Sequence, residues 1–358
     1  MPGDDNQKFP DIVNFGERMR QRKEDKSVSK FLKRIGKRIV AGLVMILAVS
    51  SFTFFLVHFM PGNPVQTKLN TLIEEGIPPL QAQAQVRSMY GFIPHQPLYI
   101  QYLHYVWQVL HLNLGKSISY SGVPVMHLLL KAMPWTVIMV LTGLAVSFII
   151  GISAGVIASV KRNSKLGDGL LLLSTFLHGI PQFIMALGLA YIFTTIFKIF
   201  PFGAPYNAAI SPGFTIPFIG SLARHAVLPI AAYAISGFGA WALAMRASVT
   251  SVLGDDYILA AELRGVTPSI RLRYIARNAM LPLFTILTLS VGFMFGGSIF
   301  IETIFDYPGL GYTINTALAA RDYPLMDGAF LMITAAVIIA TIVADLLYTV
   351  LDPRIQRI

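Results

Sequence analysis

The chain has 358 residues, 54% of them hydrophobic and only 13% charged, with a mean hydropathy of +0.63. Soluble domains carry about 25% charged residues, so the composition excludes an ordinary soluble globular protein and indicates a polytopic membrane protein. The net charge of +10 is concentrated at one end, with 11 of the 28 Lys and Arg in the first 38 residues, which reads as membrane topology; the absence of cysteine excludes disulfides, thiolate metal sites and a cysteine nucleophile.

Residues 1–38 form a polar, basic extension that includes Arg18, Arg20, Arg22, Lys33, Arg34, Lys37 and Arg38. A nucleic-acid arm is the alternative reading; its position before an apolar run favours a topogenic segment that meets lipid headgroups. No cleavable signal peptide is visible, because the first long apolar run begins only near residue 39. Residues 39–60 are the first span, about 33 Å long as a helix and sufficient for a hydrocarbon core of about 30 Å. Met60-Pro61-Gly62-Asn63-Pro64 ends it with a turn that cannot continue a helix.

A long loop follows over residues 61–133, with helical patches expected around 80–89 and 99–109. Its Gly115-Lys116-Ser117 looks like the end of a phosphate-binding loop. Such a loop needs a second glycine five positions earlier, and that position is Leu110. The chain therefore carries no ATPase motif there and is read as a non-enzyme. Spans two and three are expected at residues 134–160 and 170–200, joined by the basic turn Lys161-Arg162-Asn163-Ser164-Lys165. His178-Gly179-Ile180-Pro181 breaks the third, and proline inside a span kinks it, as in many transport pathways. His178 reads as a hydrogen-bonded packing residue rather than a proton or substrate site. After a Pro/Gly-rich loop over residues 201–225, the fourth span covers 226–250, with Gly237, Gly239, Ala240, Ala242 and Ala244 suited to close helix contact.

Residues 254–282 then interrupt the apolar pattern with charge on both sides of a helix-forming core. Leu259, Ala260, Ala261, Glu262 and Leu263 suit a short helix, and the small residues let another protein approach the backbone. Gly265 is placed to stop that helix in a left-handed conformation. Thr267 as N-cap and Pro268 in the first turn start a second helix, which carries Arg271, Arg273 and Arg277. Helix, glycine break and helix make a rigid corner able to enter a socket on another protein; the plainer alternative is an ordinary basic loop. Residues 283–301 and 325–351 complete six spans. With the amino terminus inside, 21 basic residues face the cytoplasm and seven the opposite side, as the positive-inside rule requires. Arg246 and Asp345 lie at similar depth near the cytoplasmic ends of spans four and six, where each can snorkel or the two can pair.

Residues 254–282 resemble the EAA loop of ABC-transporter permeases, which docks onto ATPase subunits. The likeness departs at two places. The position of the motif's acid is Leu259, with Glu262 three residues later. The sixteen residues between Gly265 and Pro282 also exceed the short spacing of many permeases, though they resemble the longer form of the peptide-permease branch. The wider chain is similar to the first-type permease of peptide/nickel ABC importers, which serve peptides, nickel chelates and some oligosaccharides. Its carriers are Met60-Pro61-Gly62-Asn63-Pro64, Gln96-Pro97-Leu98, Asn113-Leu114-Gly115-Lys116-Ser117, Ile180-Pro181, and Glu302-Thr303-Ile304-Phe305 with Pro308-Gly309-Leu310-Gly311. Arg321-Asp322-Tyr323-Pro324 and Leu351-Asp352-Pro353-Arg354 extend it to the end, so it covers residues 39–358.

The resemblance implies an all-α type I importer permease fold in a prokaryotic inner membrane, with docking through Leu259, Ala260, Ala261, Glu262, Gly265 and Pro268. It implies a second, homologous permease, two ATP-binding subunits and an extracytoplasmic substrate-binding protein facing residues 61–133 and 302–324. ATP and Mg would sit on the ATPases, with no cofactor on this chain and no nucleic acid. A secondary transporter or channel is the rival class and would carry ionisable groups deep in its spans. A membrane enzyme would need a convergent acid, base or metal set, and the seven histidines show no such spacing.

Overall fold

A computed structural model describes residues 36–56, 59, 64–90, 97–120 and 122–351, with the backbone alone at 285, 288 and 344–351. Most of the basic extension, the Met60–Asn63 turn, Gln96 and the Asp352-Pro353-Arg354 terminus lie outside the described residues.

The described residues are helical, apart from loops and one isolated bridge between Lys116 and Pro124. Four helices are long and apolar enough to cross a membrane, and two bent pairs bring the number of candidate spans to six. The first is α1 (Gly36–Leu56). Three short helices follow, α2 (Pro64–Glu74), α3 (Pro79–Tyr90) and α4 (Leu98–Leu110). Sequence patterning anticipates α3 and α4. It misses α2, where Pro64 at the first helical position supplies a preset φ and no surplus N–H.

The core is the pair α5 (Val125–Val160) and α8 (Ile216–Leu253), which run parallel, since Gly143 meets Tyr233 and, further along both helices, Gly155 meets Ala242 and Met245. On α5, Gly143, Ser147, Gly151 and Gly155 recur every fourth residue and are buried, a stripe of small side chains that lets two backbones meet. A Cβ on Gly151 would lie 2.5 Å from that of Trp241 and 2.9 Å from the Phe238 carbonyl; one on Gly155 would lie 2.6 Å from the Ala242 carbonyl. Of the small α8 residues singled out in sequence, Gly237 meets Ser147 and Ala242 meets Gly155, while Ala240 is exposed.

The second span begins at Val125, earlier than expected, with Pro134 inside it. Proline removes the N–H that would bond the carbonyl of Leu130, whose side chain is exposed. The fourth also starts early, at Ile216. Thr215 caps it by accepting from the Phe218 N–H, and a proline stands in its first turn. The third span is α6 (Lys165–His178) and α7 (Gln182–Ala190), the latter continued by a π-helical turn (Tyr191–Ile196); the axis bends by 99° at the break. His178 packs its Cβ over Gly239 of α8 but stays exposed, and its ring has no hydrogen bond among the described residues. The hydrogen bond expected for it is not formed among the described residues, because the residue lies at the exposed end of α6, where its ring needs no protein partner.

After α9 (Asp256–Leu263) and α10 (Pro268–Ala279) come α11 (Leu281–Ile304), α12 (Leu310–Ala319) and α13 (Tyr323–Leu351). One core cluster runs between α5, α8 and α11 down to Ile258 and Ile275. A second gathers α1 to α4, α12 and the first turns of α5 and α13 into a cap at the opposite end. The molecule therefore has a loop side, carrying α9 and α10, and a far side, carrying α2 to α4 and α12.

Candidate functional site

On the loop side, α9 and α10 form a corner. Helix α9 ends in a Schellman arrangement: Val266 N–H donates to the Ala261 carbonyl (3.0 Å) and Gly265 N–H to that of Glu262 (2.9 Å). Gly265 has φ +71°, the left-handed conformation its sequence position called for, and a Cβ there would meet nothing within 4 Å. Backbone conformation, not lack of space, therefore favours glycine here. Pro268 opens α10. Thr267 precedes it at the N-cap position and its backbone carbonyl accepts the first intrahelical bond, from Arg271 N–H (3.0 Å), but its hydroxyl makes no cap, contrary to the sequence expectation.

Glu262 and Arg271 form an ion pair of 2.8 Å across the turn, and the corner is fastened from beneath. Ile258, Ile275 and Ala279 are buried, and Ser248 of α8 donates to the Ala279 carbonyl at 2.7 Å. What remains outside is apolar. Leu263 is 81% exposed and Leu259 58%, joined by Ile270 and Tyr274. Ala260, Glu262 and Pro268 are exposed and Ala261 is half-buried, so Ala261 lies partly against the fold. Burying one leucine is worth about 1.5–3 kcal/mol, which makes this corner an adhesive knob. Arg264, Arg273 and Arg277 are also exposed and surround it with positive charge. Arg246 is half-buried on α8, whereas the side chain of Asp345 lies outside the described ones.

The far side is held by two buried carboxylates whose roles sequence reading missed. Asp322 is fully buried just before α13, where its Oδ1 accepts from Leu325 N–H at 3.2 Å, an N-cap. Its Oδ2 accepts from the hydroxyl of Ser117, the hydroxyl of Ser119 (2.6 Å), and the N–H groups of Ile118 and Ser119 (both 2.9 Å). The apparent nucleotide motif is thus a loop wrapped on a carboxylate. Gly115 has φ +77° and no room for a side chain, since a Cβ would lie 2.1 Å from the Met89 carbonyl. Glu302 does similar work for α12: its Oε2 accepts from Tyr312 N–H (3.1 Å), while Thr136 accepts from Leu310 N–H (2.7 Å). Gly309 presses on that carboxylate, and Gly311 presses on the backbone of Ile299. The acidic residue before a Tyr-Pro helix start was the readable signal for Asp322. Glu302 gave none, because its partners lie on other helices.

Residues 147–357 match the family described as binding-protein-dependent transport system inner membrane component. A Brucella suis biovar 1 protein described as a peptide permease is 34% identical over 320 residues, covering 89% of this chain and 97% of that one. The dipeptide transport system permease protein DppB of Escherichia coli K12 is 30% identical over 346 residues, 91% of this chain and 99% of its own. DppB of Bacillus subtilis 168 is 31% identical over 321 residues, covering 89% and 96%. Among solved structures, an amino acid ABC transporter with histidines overlays with a TM-score of 0.45 at 14% identity, covering 64% of this chain and 94% of that one.

Proposed function

Because the chain belongs to the family of binding-protein-dependent transport system inner membrane components, we propose that it is the membrane half-pathway of a peptide importer and that α9 and α10 dock its ATPases. The chain is an ABC importer permease, a transport component rather than an enzyme. Peptides are the solute that its relatives' descriptions favour. A second permease, two ATP-binding subunits and a binding protein complete the assembly, and ATP and Mg sit on the ATP-binding subunits. In the six-span topology read from the sequence, 21 basic residues fall on one side and seven on the other, and the α9–α10 segment belongs to the richer side, which supports a cytoplasmic loop side. The binding protein then meets the α2–α4 and α12 face from outside.

The observation that carries the docking reading is the fastened corner with its exposed leucines. A knob that transmits force must not flex, and here the Schellman turn, the Glu262–Arg271 pair and the Ser248 bond each remove a degree of freedom. ATP-driven closure of the ATPases would push this corner, and α10 passes the motion directly into α11. Leu263→Asp removes the most exposed apolar contact without touching the core. It should weaken co-purification of the ATPase subunits about tenfold to a hundredfold, the equivalent of one buried leucine. Ala261→Trp should separate hydrolysis from transport. Normal association and coupled transport in both variants would end the docking assignment.

A further inference from the structure

A cavity of about 40 Å³ lies on the far side between α1, α3, α4 and the start of α13. Its walls include four rings, Phe54, Tyr90, Tyr105 and Tyr323, all at least nine-tenths buried. Asp327 also lines it, and among the described residues no Lys or Arg does. The hydroxyl of Tyr105 donates to Asp327 Oδ2, whereas Oδ1 is buried and has no partner among the described residues. The wall hydroxyl of Thr53 is already committed, donating to the Val49 carbonyl at 2.9 Å. Burial, and secondly the charge of Asp327, push the Tyr105 phenol well above its usual range, so it remains a donor.

A buried carboxylate oxygen without a donor is expensive, and rings around it repel anions while attracting cations placed over their faces. Carboxylate plus aromatic walls, with no competing positive charge, is the recognition chemistry of an ammonium ion. The volume admits about three water-sized groups. An –NH3⁺ head with a water or two therefore fits, and the remainder of its molecule stays outside.

We propose that this cavity binds a primary ammonium group, with Asp327 as its counter-charge and Phe54, Tyr90, Tyr105 and Tyr323 as its cage. Two sources supply that chemistry. One is the amino terminus of a solute arriving on the far side. The other is the ethanolamine headgroup of a lipid beside α1, whose side chains Leu47 and Phe52 are exposed. The site stands whether or not the transported solute is a peptide.

The test is thermal unfolding of the full chain in its purified transport complex. Methylammonium at ten times its dissociation constant should raise Tm by about 3 °C. Sodium at equal ionic strength should not, nor should tetramethylammonium, which is too large for the cavity. Asp327→Asn, which keeps the side-chain shape, should abolish the response. Should that variant fail to fold, the methylammonium-to-tetramethylammonium contrast on the unaltered protein still decides. Stabilisation by phosphatidylethanolamine over phosphatidylcholine nanodiscs assigns the site to lipid, and stabilisation by dialanine but not N-acetyl-dialanine assigns it to solute. Equal responses to the two amines, a response retained in Asp327→Asn, or no response to any of these ammonium probes would overturn the proposal.

Discussion

Replacing Asp322 by alanine is the perturbation whose consequence the structure defines most closely. Five donors converge on this carboxylate, and their surroundings differ. Ser119 is exposed, so water can satisfy its N–H and hydroxyl after the change. Ser117 is fully buried, Ile118 half-buried and Leu325 fully buried, so these three donors would be stranded. At about 1–3 kcal/mol for each unsatisfied buried group, and with partial rescue of Ser117 by its neighbours, the loss should be about 3–5 kcal/mol. For a helical membrane domain of this size that corresponds to a fall in Tm of about 6–15 °C. The loop over residues 116–124 should also open. Trypsin should leave exposed Lys116 of the folded protein intact, because the loop is held on Asp322, and should cut there in the variant. Asp322→Asn should fall between, because an amide oxygen replaces only part of the acceptor. Unfolding of the Asp322→Ala protein within about 1 °C of wild type, with no new cleavage, would show that this carboxylate does not hold the far side together.

Gly265→Val should impair ATPase coupling while Gly265→Asn largely preserves it, because φ +71° is strained for a β-branched residue and tolerated by asparagine; substrate-stimulated hydrolysis in vesicles distinguishes them. Gly151→Ala should destabilise by about 1–3 kcal/mol, since its Cβ would lie 2.5 Å from that of Trp241, whereas Gly169→Ala, with nothing within 4 Å, should be neutral or stabilising in thermal unfolding. In this cysteine-free chain, Ser211→Cys should react with an impermeant thiol reagent added outside sealed cells and Ser269→Cys should not; the opposite pattern would invert the orientation.

The spans and the α9–α10 corner were legible because each depends on neighbours in sequence. A run of about 20 apolar residues has few alternatives to a spanning helix, since every backbone polar group must be satisfied within the segment. The helix–Gly265–Pro268–helix corner follows from the same locality: left-handed backbone selects glycine and a first helical turn accepts proline, whatever surrounds them. The ends of the spans were less legible. Val125 and Ile216 start their helices well before the apolar runs do, because a helix continues past the hydrocarbon wherever its next turns find packing partners, as Val125 and Leu129 do in the far-side cluster.

Only tertiary structure could disclose why the short motifs occur. Asn113 to Ser117 and Arg321 to Pro324 are separated by some 200 residues, yet Asp322 and Ser117 share one buried bond. Gly309 and Gly311 stood out in the sequence only as part of a short motif, and in the fold they are small because Glu302 and the backbone of Ile299 occupy the space a side chain would need. Asp327 and Tyr105, 222 positions apart, come together only when α4 folds back on α13. Hydrophobic patterning records which face of a helix is apolar but not which other helix covers it. Sequence alone thus determined the apolar spans and the helix–glycine–helix corner, properties of local backbone and transfer free energy. The carboxylate clamps and the ammonium cage required the fold, because their donors, acceptors and rings meet only through long-range packing.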